Sequence, residues 1–259
     1  MADALHLHVV PALEDPVLVL AFDGWNDAGD SATTALRFLG DGLPMAPLAE
    51  IDPEEYYDFT VSRPTVRLGE GRVRKIEWPS FRFEYGSLED RCDLILGVGG
   101  EPHLRWRSFC DDMLDLIDHL GVSRVIVLGA FLADVLYSRP VRVSGFGHPV
   151  ELMDTLGVEA SGYEGPTGIV GVLVDRLRER GIPVVSLWAA LPHYITVTPN
   201  PRGSLALVQT LGRVIDLPLD LAPLRKAAAD FEVTINQQVA ADPALSEYVR
   251  ELKKREFAQ

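Results

Sequence analysis

The stretch PVLVLAFDGWNDAGDSATTALRFL, residues 16–39, decides the fold. Val17 to Phe22 is an apolar run too short for a helix and rich in Val and Leu, the composition of a strand buried on both faces. It stops at Asp23, and Gly24, Trp25, Asn26, Asp27, Ala28 and Gly29 make a polar, glycine-bounded turn. Asp30 or Ser31 is then expected to cap a helix with Ala32, Ala35, Leu36 and Leu39 on one face. Strand, loop and helix in that order make an α/β unit, and ligands in such sheets usually sit beyond the carboxyl ends of the strands.

Outward from this unit the pattern repeats. Asp41 to Pro47 reads as a loop and Leu48 to Phe59 as an interrupted strand. Pro64–Leu68 and Val73–Trp78 read as a hairpin around Gly69, Glu70 and Gly71, and Phe81, Phe83 and Tyr85 alternate as an edge strand would. Apolar strands are expected at Asp93–Val98, Arg124–Leu128 and Pro183–Trp188, and shorter extended pieces at Val141–Val143 and Val158–Ser161. Helices are expected over Leu104–Leu120, Pro149–Leu156, from Gly165–Gly168 through Arg180, and over Leu205–Leu217. The alternation predicts a three-layer α/β/α sandwich on a mostly parallel central sheet. The reading divides the chain at residue 218. Residues 1–218 form the α/β domain with its β-hairpin insert, and residues 219–259 form a helical hairpin in which Leu221, Leu224, Ala228, Phe231 and Ile235 recur at helical spacing.

Composition narrows the class. The 259 residues carry a net charge of −14, and residues 1–60 hold twelve acids against one base, Arg37. Nucleic acid is not an expected partner of so acidic a surface. No apolar run approaches the ~18 residues of a membrane span, and the first residues lack the segments of an export signal, so a cytoplasmic location is expected. Cys92 and Cys110 lack CxxC spacing and read as reduced thiols.

Several chemistries fail on residue types. The sequence contains no GxxxxGK[ST], HExxH or GxSxG, and Pro102 stands where a dinucleotide fingerprint needs its third glycine. The four lysines are Lys75, Lys226, Lys253 and Lys254, and Lys75 alone precedes residue 219. A P-loop or a Schiff base needs a placed lysine. No cofactor is expected, and Asp27 with Glu101 is too small a set of carboxylates for a metal assignment.

If the strands ending at Phe22, Val98, Leu128 and Trp188 are neighbours, their loops converge on one crevice. That crevice would hold Asp23, Trp25, Asn26, Asp27, Glu101, Arg105, Phe131, Asp134, His193 and Tyr194 as candidate ligand-binding residues. Gly165 and Gly168 would add a helix start able to hold an anion, with Arg105 or Arg139 as counter-charge. The duller roles are turn hydrogen bonds for Asp23 and Asp27, core or interface packing for Trp25 and Trp106, a structural bond for His193, and helix packing for the two glycines.

The run from Phe22 to Asp30 resembles the N-terminal signature of the PAC2 family. Further matches are Gly99–Pro102 with Arg105 and Trp106, Gly129–Phe131 with Asp134, Gly165–Ile169, and Trp188 with Pro192, His193 and Tyr194. The resemblance covers about residues 16–200 and implies a phosphorylase- or hydrolase-like fold and kinship with proteasome assembly chaperones. Some bacterial members of the family carry an ATP-grasp label, against which the scarcity of lysine argues. The function it implies is that of a non-enzymatic protein that associates with itself, as a trimer for preference, and binds or assembles other proteins. The alternative is a hydrolase or nucleoside phosphorylase acting on a small ligand in the crevice. One departure weighs against docking on a proteasome ring: the sequence ends Phe257, Ala258, Gln259, without the penultimate tyrosine of the family's docking tails.

Overall fold

The computed structural model describes residues 4–69, 73–88, 92–215, 217 and 219–257, so Glu70 and Gly71 of the expected turn and the last two residues of the tail lie outside the described residues. The strands are β1 (Leu5–Leu7), β2 (Val17–Asp23), β3 (Ala46–Ile51), β4 (Thr65–Leu68), β5 (Arg74–Glu77), β6 (Phe81–Ser87), β7 (Asp93–Gly100), β8 (Arg124–Ala133), β9 (Val143–His148), β10 (Glu159–Ala160) and β11 (Val184–Pro192). The helices are α1 (Ser31–Gly42), α2 (Trp106–Leu120), α3 (Glu151–Leu156), α4 (Ile169–Glu179), α5 (Pro201–Leu211), α6 (Ala222–Ala241) and α7 (Pro243–Phe257). No described helix is long and apolar enough to cross a membrane.

Among the described residues nine strands form one sheet in the order β1-β3-β6-β7-β2-β8-β11-β9-β10. Its centre, β7-β2-β8-β11, is parallel throughout, and antiparallel strands extend it at both margins. β2 sits in the middle, and its alternation divides the core. Leu18, Leu20 and Phe22 face the layer made by α2 and α4, while Val17, Val19 and Ala21 face α1 and α5. The sandwich therefore has the three layers that the strand-helix alternation implies. Gly97 of β7 shows how tightly they meet, since a Cβ there would lie 2.6 Å from Leu20 and 2.8 Å from the Phe83 ring.

Some local expectations shift. β6 is an interior strand, paired with both β3 and β7. Its alternation is real, with Phe81 and Phe83 buried, but alternation records one buried face and not a place at the edge. α5 begins at Pro201, four residues before the apolar repeat, because the Asn200 side chain accepts from the amides of Arg202 and Gly203 and proline suits the first helical position. The insert is a separate two-stranded sheet of β4 and β5. α6 packs against α5, with Leu224 entering the main core, while Ile235 and Val239 join Val249 and Leu252 of α7 in a smaller cluster over Leu136.

Neither expected residue caps α1 with its side chain: Asp30 adopts a left-handed conformation and makes no such bond. Asp27 does the work from four residues before the helix, accepting from the Ala32 amide at 2.5 Å, the Thr33 amide at 3.1 Å and the Thr33 hydroxyl at 2.5 Å. Burial holds its pKa above the usual carboxylate value despite these donors. We expect Asp27→Ala to cost about 2 kcal/mol in denaturant unfolding, the loss of a buried acceptor that leaves helix amides unpaired; a change within error would contradict the capping role.

Asp112 on α2 is buried and accepts from the Tyr56 hydroxyl, and its other oxygen has no hydrogen-bond partner among the described residues. Its pKa is raised, first by burial and then by Asp115 and Asp111, against the lowering effects of Tyr56 and Arg105. A carboxyl raised on folding binds its proton more tightly in the native state, so stability falls as pH rises from the unfolded value, about 4, through the folded one. Asp112→Asn is therefore expected to gain melting temperature relative to the parent as pH goes from 4 to 7.5, and a pH-independent difference would contradict this.

Candidate functional site

The four central strands place their following loops at one end of the sheet. β2 ends at Asp23, β7 at Gly100, β8 at Ala133 and β11 at Pro192. Backbone bonds draw the first three together: the Glu101 amide donates to the Asp23 carbonyl at 2.8 Å, and the Ala130 amide to the Asn26 carbonyl at 2.9 Å.

The centre of the rim is Glu101. Its Oε1 accepts from the Asn26 side-chain amide at 2.9 Å and from the Ile169 backbone amide at 2.8 Å. One carboxylate thereby joins the loop after β2 to the first turn of α4, where helix amides and dipole favour a negative group. The anion at this helix start is the protein's own. Gly168 is required here, because a Cβ would lie 2.6 Å from both Glu101 Oε1 and Asn26 Oδ1. Asn26 is fully buried, and its Oδ1 has no hydrogen-bond partner among the described residues.

Asp23 is exposed at the mouth of the rim, while the Asp27 carboxylate turns away to α1. Asp27 with Glu101 is too small a set for a metal; one oxygen each from Asp23, Asp27 and Asp30 lies within 4.8 Å of the others. Since both Asp27 oxygens already accept helix donors, the trio carries no metal assignment here. Trp25 and Phe131 are exposed, at 63% and 39%. Gly165 packs against the ring of Tyr163, whose hydroxyl donates to the Pro166 carbonyl.

The expected counter-charges turn elsewhere. Arg105 pairs with Glu55, and Arg139 lies 3.3 Å from Glu256 of α7. Asp134, His193 and Tyr194 form a second group toward the C-terminal helices. His193 Nδ1 is 3.1 Å from Asp134, and the Tyr248 hydroxyl donates to Asp134 at 3.2 Å. Tyr194 donates to the Val135 carbonyl and accepts from the Tyr137 amide, both at 2.9 Å, tying the loop after β8 to the end of β11. Tyr248 is the residue the sequence reading missed, for it lies 55 positions from His193 and only its helical repeat marked it. The Cys110 thiol is fully buried and pushed up to about 12 by that burial, so it is no nucleophile.

Comparison with known proteins adds the family. Residues 21–239 match the family model described as PAC2. A PAC2 family protein from Streptomyces avermitilis is 46% identical with a TM-score of 0.84, covering 91% of this chain and 100% of that one. A Mycobacterium tuberculosis protein described as a proteasome-assembly chaperone homologue is 43% identical with a TM-score of 0.82, covering 90% and 99%. At 19% identity, a Pyrococcus furiosus protein described as an archaeal proteasome activator shares the fold, with a TM-score of 0.72 over 90% of this chain and 97% of that one. Among curated proteins none matches. With the match running from the end of β2 through β7, β8 and β11 and the loops that meet at Glu101, the chain belongs to the PAC2 family.

Proposed function

We propose that this protein is a non-enzymatic, assembly-chaperone-like factor that binds proteins and associates with itself, a trimer being favoured. The observation that carries this reading is the β4–β5 hairpin. Its register puts Val66 opposite Ile76 and Leu68 opposite Arg74, so three apolar residues share one face with Arg74 at its end, while Arg67 and Lys75 share the other. Val66, Leu68 and Ile76 are 55%, 70% and 53% exposed. A two-stranded ribbon is marginal alone in water, and an uncovered apolar face on it suits a protein partner. Arg67 is paired with Glu77 at 2.5 Å, and Arg74 and Lys75 complement an acidic segment such as residues 1–60 of a second copy, with twelve acids against one base.

The rim supports the same reading. Its Glu101 and Asp27 carboxylates are engaged in holding loops and a helix, and its exposed Trp25 and Phe131 are residue types enriched at interfaces. The Mycobacterium tuberculosis relative, described as a proteasome-assembly chaperone homologue, points in the same direction.

Light scattering at micromolar concentration is expected to give an oligomer, and Val66→Asp with Ile76→Asp is expected to dissociate it while leaving the circular dichroism unchanged. A monomeric parent protein, or turnover of nucleosides or phosphate esters by the purified chain, would contradict the proposal.

A further inference from the structure

A cavity of about 660 Å³ lies between the loop after β8, the end of β11 and the helices α6 and α7. This is within the size range of small-molecule sites, about 300–1,000 Å³. Its lining has two characters. One part is apolar, with Leu136, Val141, Ile195, Phe231, Ile235 and Leu252; the other is lined by Arg139, Arg142, Arg202 and Arg255. Four arginines around one cavity stand out in a chain with 38 acids and 24 bases.

The local charges do not cancel. Of the lining acids, Glu256 is beside Arg139 at 3.3 Å and Asp134 is beside His193 at 3.1 Å. Arg202 is held in place from behind, donating to the carbonyls of Tyr137 and Arg139, with 15% of its side chain exposed and Glu232 at 3.8 Å. The Arg142 carbonyl accepts from the Ala190 amide at 3.0 Å and Arg255 acts on Tyr248 through its charge, but neither guanidinium group is in a hydrogen bond or ion pair among the described residues. Two exposed guanidinium groups, unmatched among the described residues, therefore border an apolar hollow. A guanidinium fork matches a carboxylate or phosphate in two parallel hydrogen bonds, and it gains most where the surroundings exclude water.

We propose that this cavity binds a small amphipathic anion, a carboxylate or phosphate head on an apolar body, with Arg142 and Arg255 on the head and the Leu136, Phe231 and Leu252 side on the body. The site is distinct from the Glu101 rim and from the β4–β5 hairpin, so it stands or falls apart from the proposed protein-binding role.

Calorimetric titration of the full chain with decanoate, decyl phosphate, decanol and inorganic phosphate tests it. At least one of the two amphipathic anions is expected to bind with one site per chain, and decanol and inorganic phosphate at least tenfold more weakly. Which head binds better separates a carboxylate ligand from a phosphate one. Arg142→Ala with Arg255→Ala should weaken binding at least tenfold with the melting temperature unchanged, since neither side chain holds the fold together. Ile195→Trp, which fills the hollow, should weaken it as well, while Val66→Asp with Ile76→Asp should leave it intact. No binding of either anion, equal binding of decanol, affinity unaltered in the double arginine variant, or binding that follows the hairpin substitutions would each overturn the proposal.

Discussion

The Glu101 carboxylate, shared between the Asn26 side chain and the Ile169 amide, is the contact on which the arrangement of the rim depends. Parallel strands bring their loops to one end of a sheet but do not decide how those loops meet. Here one part-buried oxygen makes two charge-assisted bonds, of the stronger class of hydrogen bond, and in doing so fixes the loop after β2 against the start of α4. Gly168 keeps the approach close, and the backbone bonds from Glu101 to Asp23 and from Ala130 to Asn26 bring β7 and β8 into the same node. Leaving such a carboxylate without its donors is costly, so the three segments are coupled.

That coupling bears on chemistry. Both Asp27 oxygens and Glu101 Oε1 accept from amides and side chains of the fold, so these oxygens brace the structure. The apolar groups left outward, Trp25 and Phe131 at the rim and Val66, Leu68 and Ile76 on the hairpin, are of the kind that meets another protein. Removing more acids and bases from general duty, the ion pairs Arg105–Glu55 and Arg139–Glu256 fasten connecting segments instead. The cavity beneath α6 and α7 is the exception, because the guanidinium groups of Arg142 and Arg255 are unmatched among the described residues.

Much of this was legible in the sequence where the signal is local. The unbroken apolar run of β2 and the β-branched run of β8 identify strands buried on both faces, and the polar ends of four such strands point to a common rim. That inference brings Asp23, Asn26 and Glu101 together, as the structure does. It fails where the partner is set by long-range pairing. Asp27 caps α1 across a left-handed Gly29 and Asp30, a path no periodicity reveals. β6 looked like an edge because alternation cannot tell an outer strand from one with further antiparallel neighbours. Arg105 and Arg139 looked like anion ligands because their partners lie 50 and 117 positions away. The cavity escaped notice for the same reason, assembled as it is from segments that meet only in the folded chain.

The most direct test of the account is amide hydrogen exchange in Glu101→Ala. If the carboxylate is the brace of the rim, the Ile169 amide loses its protection and exchange rises over residues 23–30 and 165–169, while the amides of β2 and β8 remain as slow as in the parent. If protection at Ile169 and across both loops is unchanged, the node is not held by Glu101 and the account of the rim is wrong.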